Sequence, residues 1–167
     1  MKLLRSSTSD WPHILWMHMD TRAFEKRQIG ALPLFIDPAG GVKVCLVTAR
    51  GNGRWIIPKG NPIDGLPAHE VAAQEALEEA GLLGKAEENS IGSFEFERTR
   101  DGCEASIVVD VYVLMVNGQL RRWAEMNERR ILRCNVETAV NTVCSPGLAK
   151  LIGEFVTSKS RTLAPVA

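Results

Sequence analysis

The stretch "GNPIDGLPAHEVAAQEALEEAGL", residues 60–82, decides how the rest of the chain is read. Its first part is crowded with Gly, Pro and Asp, which break regular structure. Pro67 then suits a first helical position and Gly81 the left-handed residue just past a helix end, so a helix is expected over 67–80. Ala73, Ala76, Leu77 and Ala80 recur at helical spacing and make a narrow apolar face. With so many alanines, that face can sit close to a sheet. At about 100° per residue, Glu75, Glu78 and Glu79 span an arc of roughly 100° on the other side. Like charges three and four positions apart destabilise an isolated helix. The crowding therefore calls for a cation, or else the face is merely solvated.

The chemistry of such a face is restricted. Without a cation, neighbouring carboxylates push one another toward protonation. All-oxygen ligation suits magnesium, manganese and calcium, and with several waters retained it suits magnesium best. Just upstream, "RGNGR" (50–54) is a glycine-rich loop, followed by "WIIP" as a short strand and then Lys59. Arg50, Arg54 and Lys59 are candidates to hold phosphates bridged by metals at the acids, with arginine forks gripping a leaving phosphate.

Outward from this stretch the chain reads as one α/β or α+β domain. "QIGALPLFI" (28–36) and "VKVCLVTA" (42–49) are strands joined by the "PAGG" turn, a hairpin. "SIGSFEFER" (90–98) alternates as a strand, and an Asp-Gly turn at 101–102 leads to the apolar strand 105–116. "LRRWAEMNERR" (120–130) is a charged loop or edge, 131–136 a last strand, and 136–143 and 147–156 two helices. The expected division is an N-terminal arm over 1–27, a domain over 28–157 and a frayed tail over 158–167. In the arm, "WPHILWM" (11–17) is read as packing its aromatics on the domain.

Composition narrows the function. The 167 residues hold 20 Lys plus Arg and 20 Asp plus Glu, so no net charge steers the chain to nucleic acid or membrane. Cys45, Cys103, Cys134 and Cys144 occur singly, which argues against a zinc site or disulfide framework and for free thiols in a reducing cytoplasm. No apolar run is long enough for a transmembrane helix, and the N-terminus lacks the unbroken apolar core of a signal peptide.

The 60–82 stretch resembles the signature box of the Nudix hydrolases, in which a glycine, five residues, Glu, seven residues, Arg-Glu, an apolar residue, any residue, Glu-Glu, any residue, Gly and an apolar residue follow in order. Gly60, Glu75, Glu78, Glu79, Gly81 and Leu82 take matching positions. The resemblance covers roughly 28–157, and "GRWIIPKG" is similar to members acting on diphosphoinositol or dinucleoside polyphosphates. It implies an α/β/α sandwich with a mixed central sheet and hydrolysis of a diphosphate linkage with Mg2+ or Mn2+. Glu78 and Glu79 would then be metal ligands, Glu75 a further ligand or the base that activates water, and the Lys59 or Gly60 carbonyl would complete the metal site. Family members often add an acid from outside the box, for which Glu125 and Glu128 are candidates, Glu128 being the one assigned to the metal. Arg129 and Arg130 beside them are candidates for phosphate.

Two positions depart from the box. Leu66 replaces its first glutamate and Gln74 its arginine, side chains that in the family support the loop by pairing. Loss of one alone would leave a partly buried charge unpaired, whereas loss of both avoids that penalty. A rebuilt scaffold contact is therefore expected, with the three acids retained. Competing readings are a Nudix fold that senses a nucleotide or ADP-ribose-like ligand without cleaving it, and an acidic helix face that docks a basic protein. The expected partner is a small polyphosphate substrate, without a nucleic-acid polymer or membrane; dimerisation stays open. His13, His18 and His69 are scattered and receive no chemistry; Trp55 is read as core, and Trp123 stands between core and base-stacking.

Overall fold

The computed structural model describes residues 26–100 and 103–162; the aromatic segment 11–17 and the turn at 101–102 lie outside the described residues. Two long strands organise the sheet. β1 (Lys26–Ile36) and β7 (Cys103–Gln119) run parallel, in register from Lys26 opposite Ile107 to Leu34 opposite Met115. Every other pairing is antiparallel. β2 (Val42–Thr48) and the two-residue β4 (Lys59–Gly60) share one edge of β1 in tandem. β5 (Leu82–Ala86) and β6 (Gly92–Arg100) share the outer edge of β7 in the same way. β3 (Trp55–Ile56) and β8 (Ile131–Asn135) complete the eight-stranded mixed sheet on β2.

The apolar strand sequences explain the core. Leu32, Val44, Leu46, Val47, Val109, Val111, Val113 and Leu114 are all fully buried in the central strands. α1 (Ala68–Ala80) packs on β1, β5 and β7, while α2 (Val136–Thr142) and α3 (Pro146–Thr162) pack together, α2 against β2 and β8 and α3 against β6. The result is the mixed sheet with helices expected from the sequence. Asn135 starts α2 by accepting a hydrogen bond at its side chain from the Thr138 N–H at 2.7 Å.

Three expectations need correction. β5 was not expected: "LLGKA" carries no alternation, and its pairing with β7 shifts register between Leu83 and Gly84. α3 runs on to Thr162 instead of fraying after 156, with Thr157 Oγ1 donating to the Gly153 carbonyl at 2.8 Å and Ser158 Oγ to Phe155 at 2.7 Å. The buried face of α1 is set by Val71, Ala72, Ala76 and Ala80, not by Ala73, Ala76, Leu77 and Ala80. Leu77 and Ala73 are only half-buried. This rotation brings the acids toward the sheet, and Glu79 lands among the buried residues.

Cys45 and Cys134 are buried and Cys144 is exposed, all three free. Burial pushes the Cys45 thiol up to about 12, which makes it a neutral core group. Among the described residues, no helix is long and apolar enough to cross a membrane.

Candidate active site

A cleft of about 1190 Å³ opens between the glycine-rich loop, α1, β6 and the β7–β8 loop. Its walls bring together Arg50, Arg54, Lys59, Gly60, Glu75, Glu78 and Glu79. Glu125 and Arg129 reach the same cleft from the β7–β8 loop, whereas Glu128 and Arg130 do not line it.

Each box acid has a separate environment. Glu75 lies against Gly60: a Cβ added at Gly60 would stand 1.9 Å from Glu75 Oε1, so only glycine lets that carboxyl approach the loop backbone. Burial raises the Glu75 pKa, helped by the neighbouring charges of Glu78 and Glu125 and opposed by Arg129 and Lys59. Glu78 accepts a hydrogen bond from Gln74 Nε2 at 2.7 Å. Glu79 is 3% exposed. Its Oε1 is paired with Arg129 Nη2, while its Oε2 is buried with no hydrogen-bond partner among the described residues. Burial pushes Glu79 up to about 8; the Arg129 charge opposes this, and Glu75 and Glu125 reinforce it.

The three carboxylates line one cleft but do not form a ready-made cage. Among the described residues, no three His, Cys, Asp or Glu groups stand together as a metal-holding set. The physical reason is mutual repulsion: each acid turns to a different neutral or cationic neighbour. The arrangement nevertheless fits a divalent cation. It offers oxygen donors only, a buried carboxylate oxygen without a donor, and a glycine backbone that a carboxyl can approach.

The β7–β8 loop closes the C-terminal end of α1. Gly81, at φ 67°, ends the helix in the left-handed region and donates to Leu77 O at 2.9 Å. Three carbonyls at this end are met from outside: Glu78 O by the Glu125 N–H at 3.0 Å, Ala80 O by Gln119 Nε2 at 2.9 Å, and Gly81 O by the Leu120 N–H at 2.8 Å. Carbonyls at the helix end are thus satisfied by the end of β7 and the loop that follows it. The Trp123 ring lies against Gly81, so it is part of this clasp. Trp55, expected in the core, is half-buried against it, with the Arg130 guanidinium 5.5 Å from its ring centre.

That clasp separates the two acids outside the box. The Glu125 side chain is 14% exposed and faces the cleft, where it receives Arg129 Nε at 2.6 Å and pairs with Arg50. Glu128, assigned to the metal on sequence grounds, is 54% exposed and is reached by Arg50 Nε at 3.0 Å. Arg129 is also placed otherwise than expected. Its side chain is 9% exposed and its guanidinium is committed to Glu125, Glu79 and the Thr48 carbonyl. Nothing in the linear sequence distinguished Glu125 from Glu128, because both lie in a charged stretch without periodicity.

The remaining basic residues are more open. Arg54 is exposed on the cleft wall, and its backbone N–H is held by Asn52 Oδ1 at 3.0 Å. Lys59 donates to Gln28 Oε1 at 2.7 Å and sits 5.0 Å from the Phe96 ring centre. Leu66 is half-buried against the core, and Gln74 spends its amide on Glu78. The box pair is therefore rebuilt as an apolar contact and a separate hydrogen bond.

No family model matches the chain. The chain is similar to Nudix hydrolase 13, mitochondrial, of Arabidopsis thaliana, at 25% identity over 127 residues, 72% of this chain and 63% of that protein. The chain thus spans less than two thirds of that relative's length. Among solved structures, a C. elegans Ap4A hydrolase in a binary complex superposes with a TM-score of 0.61 at 18% identity, covering 81% of this chain and 98% of the other. The NUDIX domain of Shewanella oneidensis NrtR complexed with ADP ribose gives 0.58 at 12% identity, covering 79% and 88%. These structural likenesses establish the fold.

Proposed function

We propose that this chain is a Nudix hydrolase, a metal-dependent pyrophosphohydrolase that cleaves a diphosphate linkage in a small polyphosphorylated molecule, a reading that its likeness to Nudix hydrolase 13 and its fold support. One observation carries the reading. Glu79 is almost fully buried in a cleft wall, beside Glu75 and Glu78, with one oxygen that no donor among the described residues reaches. A solvated acidic face would not bury a carboxylate at that expense.

Glu78 and Glu79 would hold the cation together with the Gly60 carbonyl, and Glu75 would ligate or take the proton of the attacking water. A bound Mg2+ or Mn2+ supplies Lewis acidity toward the phosphoryl oxygens and a lower pKa for water. Arg50 and Arg54, which line the same cleft, would bind the phosphates flanking the scissile bond. Dinucleoside polyphosphates and diphosphoinositol polyphosphates are the substrate classes to test, the first matching what the C. elegans structure is named for. Free thiols at Cys45, Cys134 and Cys144 support a reducing compartment such as the cytoplasm.

The deciding experiment is a substrate panel with Mg2+ or Mn2+ in ¹⁸O-water, reading which phosphorus takes up the label. Glu79→Gln should lower turnover at least about 100-fold, beyond the loss typical of an outer-shell change at a metal site, with the circular dichroism unchanged. Equal turnover by that variant across the panel would sink the proposal. The ADP ribose in the NrtR structure favours a second reading, a sensor that binds without cleaving. Tight calorimetric binding with no product in either metal would select it.

A further inference from the structure

We infer that Arg129 is a positioning residue of the metal site: it anchors Glu79 and Glu125 to the end of β2, doing from the β7–β8 loop what the absent box arginine does not. This rests on the hydrolase reading for its meaning, but its own evidence is geometric. One planar guanidinium touches three elements at once. Nη1 donates to the Thr48 carbonyl at 2.9 Å, Nε to Glu125 Oε2 at 2.6 Å, and Nη2 to Glu79 Oε1. Thr48 and its loop partner are locked further: the Arg130 N–H donates to Thr48 Oγ1 at 3.0 Å and the Thr48 N–H to the Arg130 carbonyl at 3.1 Å. Thr48 itself is 5% exposed.

Position 74 shows why this is needed. Gln74 is neutral, and its amide is spent on Glu78, so nothing on α1 neutralises Glu79. Arg129 is the cation that Glu79 pairs with, and it leaves Oε2 of that carboxylate open. A guanidinium presents its N–H donors in fixed relative directions, so it holds one oxygen of Glu79 and one of Glu125 in a set arrangement about Thr48, whereas a lysine ammonium supplies charge without that geometry. With Nε, Nη1 and Nη2 each engaged and the side chain 9% exposed, Arg129 acts on the reaction through the two acids, not on phosphate.

The test is a Mn2+ titration of the wild-type protein and of Arg129→Lys, followed by paramagnetic resonance or calorimetry. The lysine variant keeps the charge and loses the fork. Its Mn2+ affinity should fall 10- to 100-fold, as for loss of an outer-shell partner, while KM at saturating Mn2+ stays within about twofold of wild type. Unchanged Mn2+ affinity with a raised KM would overturn the inference and make Arg129 a phosphate contact. A second readout uses the wild-type protein alone and so does not depend on the variant folding. The Arg129 Nε–H resonance should move when Mg2+ is added and not move further with methylene diphosphonate. The reverse order of response would equally overturn it. A wild-type protein that takes up Mn2+ but cleaves no diphosphate counts against the hydrolase reading alone, since the Mn2+ titration decides this one without turnover.

Discussion

Glu79 shows how a single residue carries conflicting demands. The fold buries it beside Glu75 and Glu125, so its pKa rises from an ordinary 4.5 to about 8 despite the Arg129 charge. Burial raises Glu75 in the same direction. The folded state therefore holds these protons more tightly than the unfolded chain does. Stability from this source is complete below about pH 4.5 and is lost as pH rises through about 8. In chelator, the melting temperature should fall on the order of 5 °C between about pH 5 and pH 8. Saturating Mg2+ should flatten that slope, because a cation favours the ionised carboxylates. A melting temperature independent of pH in chelator, read by scanning calorimetry, would contradict this account.

At the scale of elements, the helix that carries the acids depends on the loop that closes it. Gly81 sits at φ 67°, and a Cβ there would come within 2.6 Å of the Trp123 ring. Gly81→Ala meets both a left-handed backbone and the half-buried Trp123 ring. It should destabilise by about 2 kcal/mol, more than an ordinary exposed helix-end change. Urea unfolding would measure this, and activity should fall with it, because the same loop presents Glu125 and Arg129. Loss of stability without loss of activity would show that the clasp does not position the site. The start and end of α1 were legible from Pro67 and Gly81. The clasp was not, because it joins residues some 40 positions apart, and a charged stretch such as 120–130 has no periodicity to betray its partner.

For the whole molecule, the sheet is the frame on which the site stands. Ile57, fully buried, lies between the glycine-rich loop and β4, and its side chain packs against Gly30 of β1. Ile57→Ala should cost about 2–5 kcal/mol by leaving a cavity. Ile36→Ala, at the 58% exposed end of β1, should stay within about 0.5 kcal/mol. Equal effects of the two in denaturant unfolding would mean that the frame does not sit where the burial places it.

What the residues determined unaided was local: breakers before a helix, a glycine at its end, alternating strands, and three acids crowded on one helix face. Tertiary packing alone decided which side of that helix is buried, since alanines fit either way and Val71 settled the rotation by filling the sheet interface. It also decided that Glu125 and not Glu128 faces the cleft, and that Arg129 grips carboxylates. Those outcomes depend on which distant backbone groups a side chain meets, and linear spacing carries no record of such distances.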